Sequence, residues 1–297
     1  MNTVHHSFCP VCDSTNINPL LTVKDHSVSK KDFVIWQCSN CELRFTQDAP
    51  DKDSIAPFYQ SEDYISHTNT SKGVINQLYQ KVRKHTLNQK ANLIIRNTKP
   101  KGKLLDLGAG IGAFLNTMKQ KGWEVKGIEP DPGARQQAKN IFDLDLEDTS
   151  ALNSFHNQSF DAITLWHVLE HVHDLHDYIE KLKRLLTPDG KIFIAVPNYR
   201  AVENSIYKLF WAAYDVPRHL YHFTPSSMEM LMKKHHLQII HTKPMWFDSF
   251  YISLLSSKYK NGKTKWIGAA ISGLRSNVTA MFNKSRCSSL IYVVKKM

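Results

Sequence analysis

The sequence predicts an α/β fold, a mostly parallel sheet with helices on both faces, preceded by a small four-cysteine ribbon. Three observations carry that expectation. From Lys103 to about residue 196, short apolar runs alternate with segments of helical periodicity. The first of those runs ends in a glycine-rich turn, KLLDLGAGIGAFL over 103–115. Two CxxC pairs, Cys9/Cys12 and Cys38/Cys41, stand with 25 residues between them near the start of the chain.

The cysteines define a zinc ribbon over residues 1–50. Their spacing lets two hairpin turns supply four thiolates to one tetrahedral zinc. FVIWQC alternates like a strand leading into the second pair. A redox CxxC would come singly, at a helix start. Four cysteine ligands leave no open position for water, so the zinc is expected to be structural and the ribbon to fold on it. Cys287 stands alone and reads as a buried apolar residue. Residues 51–100 form a connecting segment and a helix. In it Tyr59, Tyr64 and His67 read either as packing against the ribbon or as ligand contacts, and the helix shows its period through Ile75, Leu78, Tyr79, Val82, Leu87, Leu93 and Ile94.

The third region, 101–297, carries the alternation. Strands are expected at 104–107, 123–128, 160–165 and 191–196, with helices at about 112–121, 132–140 and 174–186. Such a sheet binds ligands at the carboxyl ends of its strands. Thr224 and Pro225 open a further helix as cap and first residue. LQIIHTK and the final SSLIYVVKK read as strands. Insertions at about 201–223 and 245–287 break the pattern, and such loops carry specificity on a rigid scaffold.

A buried strand that ends in glycines and opens into a helix makes a nucleotide cradle. Gly108, Gly110 and Gly112 permit positive φ and close ligand approach. Asp106, two residues before the first glycine, would repel a pyrophosphate but suits a ligand end bearing an ammonium, as S-adenosylmethionine (SAM) has. Glu129, closing a second strand about 20 residues on, stands where ribose hydroxyls are gripped.

LLDLGAGIG, the strand-end Glu129, FDAITLWHVLEHV and GKIFIAVPN resemble the successive motifs of class I SAM-dependent methyltransferases. The nearest likeness is to the branch of ubiquinone-biosynthesis O-methyltransferases and enzymes of glycan gene clusters, over about residues 75–245. The resemblance implies a Rossmann-like sheet with an antiparallel last strand, and SAM held by Asp106, Gly108, Gly110, Gly112 and Glu129. It leaves the acceptor open.

By the same analogy the fourth strand ends beneath the reactive methyl. That place is occupied by His167, a side chain suited to proton removal near neutral pH. Trp166 beside it reads as an adenine neighbour or as core. Glu170 and His171, with His173 and His176 near, read either as a second-shell or divalent-metal pair or as solvated helix-start residues, and no catalytic metal is carried into the expected site. In the segment Asp215–Thr224, Arg218 is a candidate clamp for an anionic acceptor, His219 a candidate base, and His222 a substrate contact or a second candidate base. Neither Asn-Pro-Pro-Tyr nor Asp-Pro-Pro-Tyr follows the fourth strand, and there is no Pro-Cys nucleophile, so nucleobase methylation lacks its usual equipment.

The formal net charge is +11. It resides in the segment from Leu231 to the end, where twelve basic residues face one acid, Asp248. No apolar run approaches the ~20 residues of a membrane span and no signal-peptide core is seen, so a cytoplasmic, reducing location is expected. Within 245–287, Trp246, Phe250 and Trp266 accompany Lys258, Lys260, Lys263 and Lys265. That combination suits peripheral contact with the inner membrane face and a lipid-linked acceptor, or RNA, or a plain helical hairpin packed on the core. The expected function is O- or C-methylation of a small-molecule, glycan-precursor or lipid-linked acceptor. The alternatives are an RNA methyltransferase using ribbon and basic segment, and a non-catalytic SAM-binding partner platform.

Overall fold

The computed structural model describes residues 2–60 and 74–297, the side chains of 74–79 excepted. Tyr64 and His67 lie outside the described residues, as do the side chains of Ile75, Leu78 and Tyr79. In chain order the strands are β1 (Thr3–Val4), β2 (Ile17–Lys24), β3 (Asp32–Cys38), β4 (Arg44–Thr46), β5 (Ala49–Pro50), β6 (Lys103–Leu107), β7 (Glu124–Ile128), β8 (Phe160–Trp166), β9 (Leu186–Pro197), β10 (Tyr221–His222), β11 (Leu237–Pro244) and β12 (Ser289–Lys296). The helices are α1 (Val74–Asn97), α2 (Ala113–Gln120), α3 (Pro132–Phe142), α4 (Leu175–Leu185), α5 (Val202–Tyr207), α6 (Pro225–Lys234), α7 (Asp248–Asn261) and α8 (Trp266–Phe282). A six-stranded sheet has the order β11-β12-β9-β8-β6-β7, mostly parallel as the alternation predicts, with antiparallel end strands, the last of which the resemblance implies. The described residues fall into two compact units.

One unit comprises residues 74–168, 176–194 and 293–297. Its central strands are mostly apolar because both faces are covered: Leu104, Leu105 and Leu107 of β6 and Ala162, Ile163 and Leu165 of β8 are buried. β6 pairs in parallel with β7 and β8, Leu107 standing opposite Ile128 and Leu165, so three carboxyl ends lie side by side. α2 buries Phe114, Leu115 and Met118, one helical stripe. α3 starts where Asp131 accepts the Gly133 amide at 2.8 Å and Pro132 fills the first turn.

The other unit comprises residues 2–60, 169–175 and 195–292. Its four-stranded sheet has the order β10-β4-β3-β2. β3 alternates, Phe33 and Ile35 inward and Val34 outward. A ribbon this small cannot cover its own inner face. Val23, Phe33 and Ile35 therefore share one core with Tyr207, Trp211 and Tyr214 from the 201–223 insertion. The insertion also contributes β10, whose Tyr221 and His222 pair with Phe45 and Arg44. The Thr46 hydroxyl donates to the His219 carbonyl at 2.7 Å, and the Tyr199 hydroxyl to the Glu42 carbonyl at 2.6 Å. α6 opens with a buried reciprocal cap: Thr224 Oγ1 accepts the Ser227 amide at 3.1 Å while Ser227 Oγ accepts the Thr224 amide at 2.9 Å. The 245–287 insertion is a helical hairpin, α7 ending at Gly262 with φ +71° and α8 returning.

Candidate functional site

The glycine turn after β6 builds a cradle from backbone. Gly108, Gly110 and Gly112 have φ of +65°, +55° and +78°, the left-handed region closed to most side chains. Gly108 is needed because a Cβ there would stand 2.6 Å from Val168 Cγ2. At Gly110 the opposite holds: among the described residues beyond its chain neighbours, no atom lies within 4 Å of where its Cβ would be. Glu129, at the end of β7, accepts the Gly110 amide at 2.7 Å and the Asp131 amide at 3.0 Å. Burial raises its carboxyl against the pull of those two amides. Asp106 is 1 % exposed and accepts the Thr164 hydroxyl at 2.5 Å. Burial pushes it up to about 7, with Thr164 and the Lys90 charge pulling the other way.

The end of β8 lies over this turn, Val168 packing on Gly108. Trp166 meets Phe114 edge-on at 5.3 Å and has the Lys90 ammonium 4.3 Å above its ring. Its indole N–H is buried with no hydrogen-bond partner among the described residues. His167 follows, half-buried, with φ +59°. A non-glycine residue held left-handed at a strand end is a strained position of the kind that clusters at functional sites. Open space beside Gly110, an unsatisfied indole N–H and two neighbouring carboxylates match a ligand with an adenine, a ribose and an ammonium.

In the other unit Glu170 and His171 are not the solvated helix-start residues expected. Glu170 is fully buried, and one ligating atom from each of Glu170, His171 and His219 lies within 4.8 Å of the others. The cause is β10 and the loop before it: the Leu220 amide donates to the Glu170 carbonyl at 2.8 Å, drawing the short turn inside. His171 Nδ1 stands 3.0 Å from the Arg218 carbonyl and 3.0 Å from the Tyr59 hydroxyl. Burial, then the neighbouring His219, lowers His171 to about 4, so its imidazole is neutral. His219 Nδ1 donates to the Ala213 carbonyl at 2.9 Å, and its Nε2 stands 3.9 Å from Asp215. His173 Nε2 bonds the Pro50 carbonyl at 2.9 Å. His222 is buried, 3.4 Å from Thr46 Oγ1, and held neutral by burial.

Arg218 is 2 % exposed and its donors meet protein groups. It binds Asp215 through Nε at 3.0 Å and Nη2 at 2.7 Å, Asp25 at 3.1 Å, the Phe58 carbonyl at 2.8 Å, and Ser27 Oγ. Asp25, which the sequence reading did not single out, also accepts the amides of Ser27, Val28 and Ser29. Tyr59, by contrast, was a candidate contact and touches His171.

The four ribbon cysteines come together. Cys9 and Cys41 sulfurs are 3.5 Å apart and those of Cys12 and Cys38 3.6 Å, all four lying within 4.8 Å. A tetrahedral ion with ~2.3 Å bonds to sulfur needs edges of ~3.8 Å, whereas a disulfide needs ~2.05 Å. Amides of Val11 and Asn40 point at Cys9 and Cys38 at 3.5 and 3.4 Å, as suits thiolates. Cys287 is fully buried, and burial raises its thiol to about 11.

Similarity to known proteins agrees with the cradle. The Ubiquinone biosynthesis O-methyltransferase of Actinobacillus pleuropneumoniae serotype 5b is 36 % identical over 107 residues, 32 % of this chain and 46 % of that protein. An uncharacterized methyltransferase of Staphylococcus carnosus is 33 % identical over 95 residues, 31 % of this chain and 46 % of that one. The chain thus spans about half the length of the curated relatives it matches. The fold recurs in the PH0226 protein from Pyrococcus horikoshii OT3, at TM-score 0.51 and 15 % identity, covering 80 % of this chain and 99 % of that one. It also recurs in a putative sarcosine dimethylglycine methyltransferase from Galdieria sulphuraria, at TM-score 0.51 and 14 % identity, covering 81 % and 90 %. A family model described as a methyltransferase domain matches residues 79–242, more than half of the chain, and the chain belongs to that family.

Proposed function

We propose that the chain transfers a methyl group from SAM to oxygen or carbon of a small-molecule, glycan-precursor or lipid-linked acceptor. The observation that carries this reading is the open, left-handed Gly110 whose amide is held by the Glu129 carboxylate. Glu129 would take the ribose hydroxyls, Asp106 the ammonium side, and Trp166 the adenine neighbourhood. SAM supplies an electrophilic methyl on sulfonium. The protein aligns it and removes the acceptor's proton. We assign that proton to His167. Relatives named as ubiquinone-biosynthesis O-methyltransferases support a hydroxyl on a small molecule as acceptor.

Calorimetry tests the cofactor assignment. Gly110→Val puts a branched residue at φ +55° and a side chain in the ligand's space, so SAM affinity is expected to fall at least about 10-fold, or about 1.4 kcal/mol. Binding of NAD with no response to SAM would sink the assignment.

We propose one zinc on Cys9, Cys12, Cys38 and Cys41. Because β10 and the ribbon share a sheet and a core, Cys38→Ser should speed amide exchange at Tyr221 and His222 as well as in β2–β4, and leave β6 and β8 protected. Elemental analysis finding no zinc in the purified chain, or exchange confined to residues 1–50, would count against this picture.

A further inference from the structure

α8 is built inside out. Its buried face is Ala269, Ser272, Gly273, Ser276 and Ala280, and it meets an α7 face that includes the buried Ser249 and Ser253. The backbones come so close that a Cβ on Gly273 would stand 2.7 Å from the Phe250 ring and 3.1 Å from its Cα. Hydroxyls bridge the seam, Ser253 to Ser272 at 3.4 Å and Ser249 to Asn277 at 3.0 Å. The outward face carries Ile267, Ile271, Leu274, Val278 and Met281, spaced four, three, four and three, with Trp266 and Phe282 at its ends. These seven side chains are between 46 and 88 % exposed.

A helix in water turns its large apolar residues inward. Small and hydroxyl residues at the helix contact, with large aliphatics outside, is the arrangement that helices adopt in lipid. Single exposed apolar residues are ordinary, but a continuous stripe ~25 Å long marks a surface that something covers. Charge selects the occupant. Lys258, Lys260, Lys263 and Lys265 cluster at the turn between the helices, Arg275 lies on α8, and the only acid from Leu231 onward is Asp248. A second copy of this face would bring like charge to like charge, with no acid on α8 to pair. An anionic bilayer satisfies the stripe and the lysines together. Among the described residues no helix is long and apolar enough to cross a membrane, so α8 would lie in the interface plane.

We propose that α8 and the lysines of the α7–α8 turn dock this chain flat on an anionic lipid bilayer, the Ile267–Met281 stripe at the acyl boundary. This holds whatever acceptor is methylated. The test is co-sedimentation of the full chain with vesicles of equal parts phosphatidylglycerol and phosphatidylcholine, against phosphatidylcholine alone. The anionic vesicles should take up at least about tenfold more protein, falling with added salt. Ile271→Ser with Leu274→Ser should cut that uptake at least about tenfold. Each of Lys260→Gln, Lys263→Gln and Lys265→Gln should cost about fivefold. These side chains are exposed, so the thermal midpoints should match the wild type, and SAM binding in solution should be unchanged. Protein left in the supernatant with anionic vesicles overturns the proposal. So does a lipid-free dimer dissociated by the serine pair, or structured RNA bound through the same residues in preference to vesicles.

Discussion

His167→Ala is expected to slow methyl transfer by about 10²–10⁴ while leaving SAM affinity unchanged, because a general base acts on the acceptor and not on the cofactor. The backbone argues for a working role. Holding a histidine at φ +59° costs on the order of 1–3 kcal/mol, and nothing in the pairing of β8 with β6 requires it. The readout is S-adenosylhomocysteine formation with whichever of a panel of phenols and nucleotide sugars supports turnover. His167→Asn separates two explanations, since asparagine tolerates the left-handed region but offers no imidazole. An asparagine enzyme as slow as the alanine enzyme assigns the loss to the proton, and full activity in either variant removes His167 from the chemistry.

What the sequence made legible follows from how local each signal is. The strand-to-glycine turn, the Thr224–Ser227 cap and the two CxxC pairs are written in short contiguous stretches, and each takes the expected place in the structure. The cradle carboxylates were readable for the same reason, since the Gly110–Glu129 bond spans one strand–helix–strand repeat. Arg218 was readable as a charged residue in a loop, but its partner Asp25 lies 193 positions away and no periodicity links them. Glu170 and His171 look like helix-start residues to any local rule, and only the chain at Leu220 buries them. α8 is ambiguous in a different way. Its Ser/Gly/Ala stripe and its Ile/Leu stripe share the helical period, so the sequence alone favours turning the larger residues inward, and the fold does the reverse.

Arg218→Met is expected to destabilise the unit that holds it by about 3–5 kcal/mol, because removing one partner of a buried ion pair leaves uncompensated charge. Two carboxylates would be stranded, Asp25 and Asp215, and Asp25 is itself 1 % exposed. Burial alone would raise both. For Asp25 the amides of Ser29 and Val28 and the guanidinium outweigh it, and for Asp215 the guanidinium does, so both stay below the ordinary carboxylate range. Carboxyls depressed in the folded state contribute fully above their unfolded pKa, near 4, and lose that contribution as the pH falls below it. Denaturant unfolding of wild type and Arg218→Met should therefore differ most at neutral pH and converge in acid. Arg218→Lys should fall between, since an ammonium cannot hold Asp215 by two parallel bonds. His219 follows Arg218 directly and faces Asp215, so loss of the guanidinium should also free its ring. Under this reading Arg218 is a positioning residue. An Arg218→Met chain with wild-type stability and only a raised KM for an anionic acceptor would instead make it the clamp that the sequence suggests.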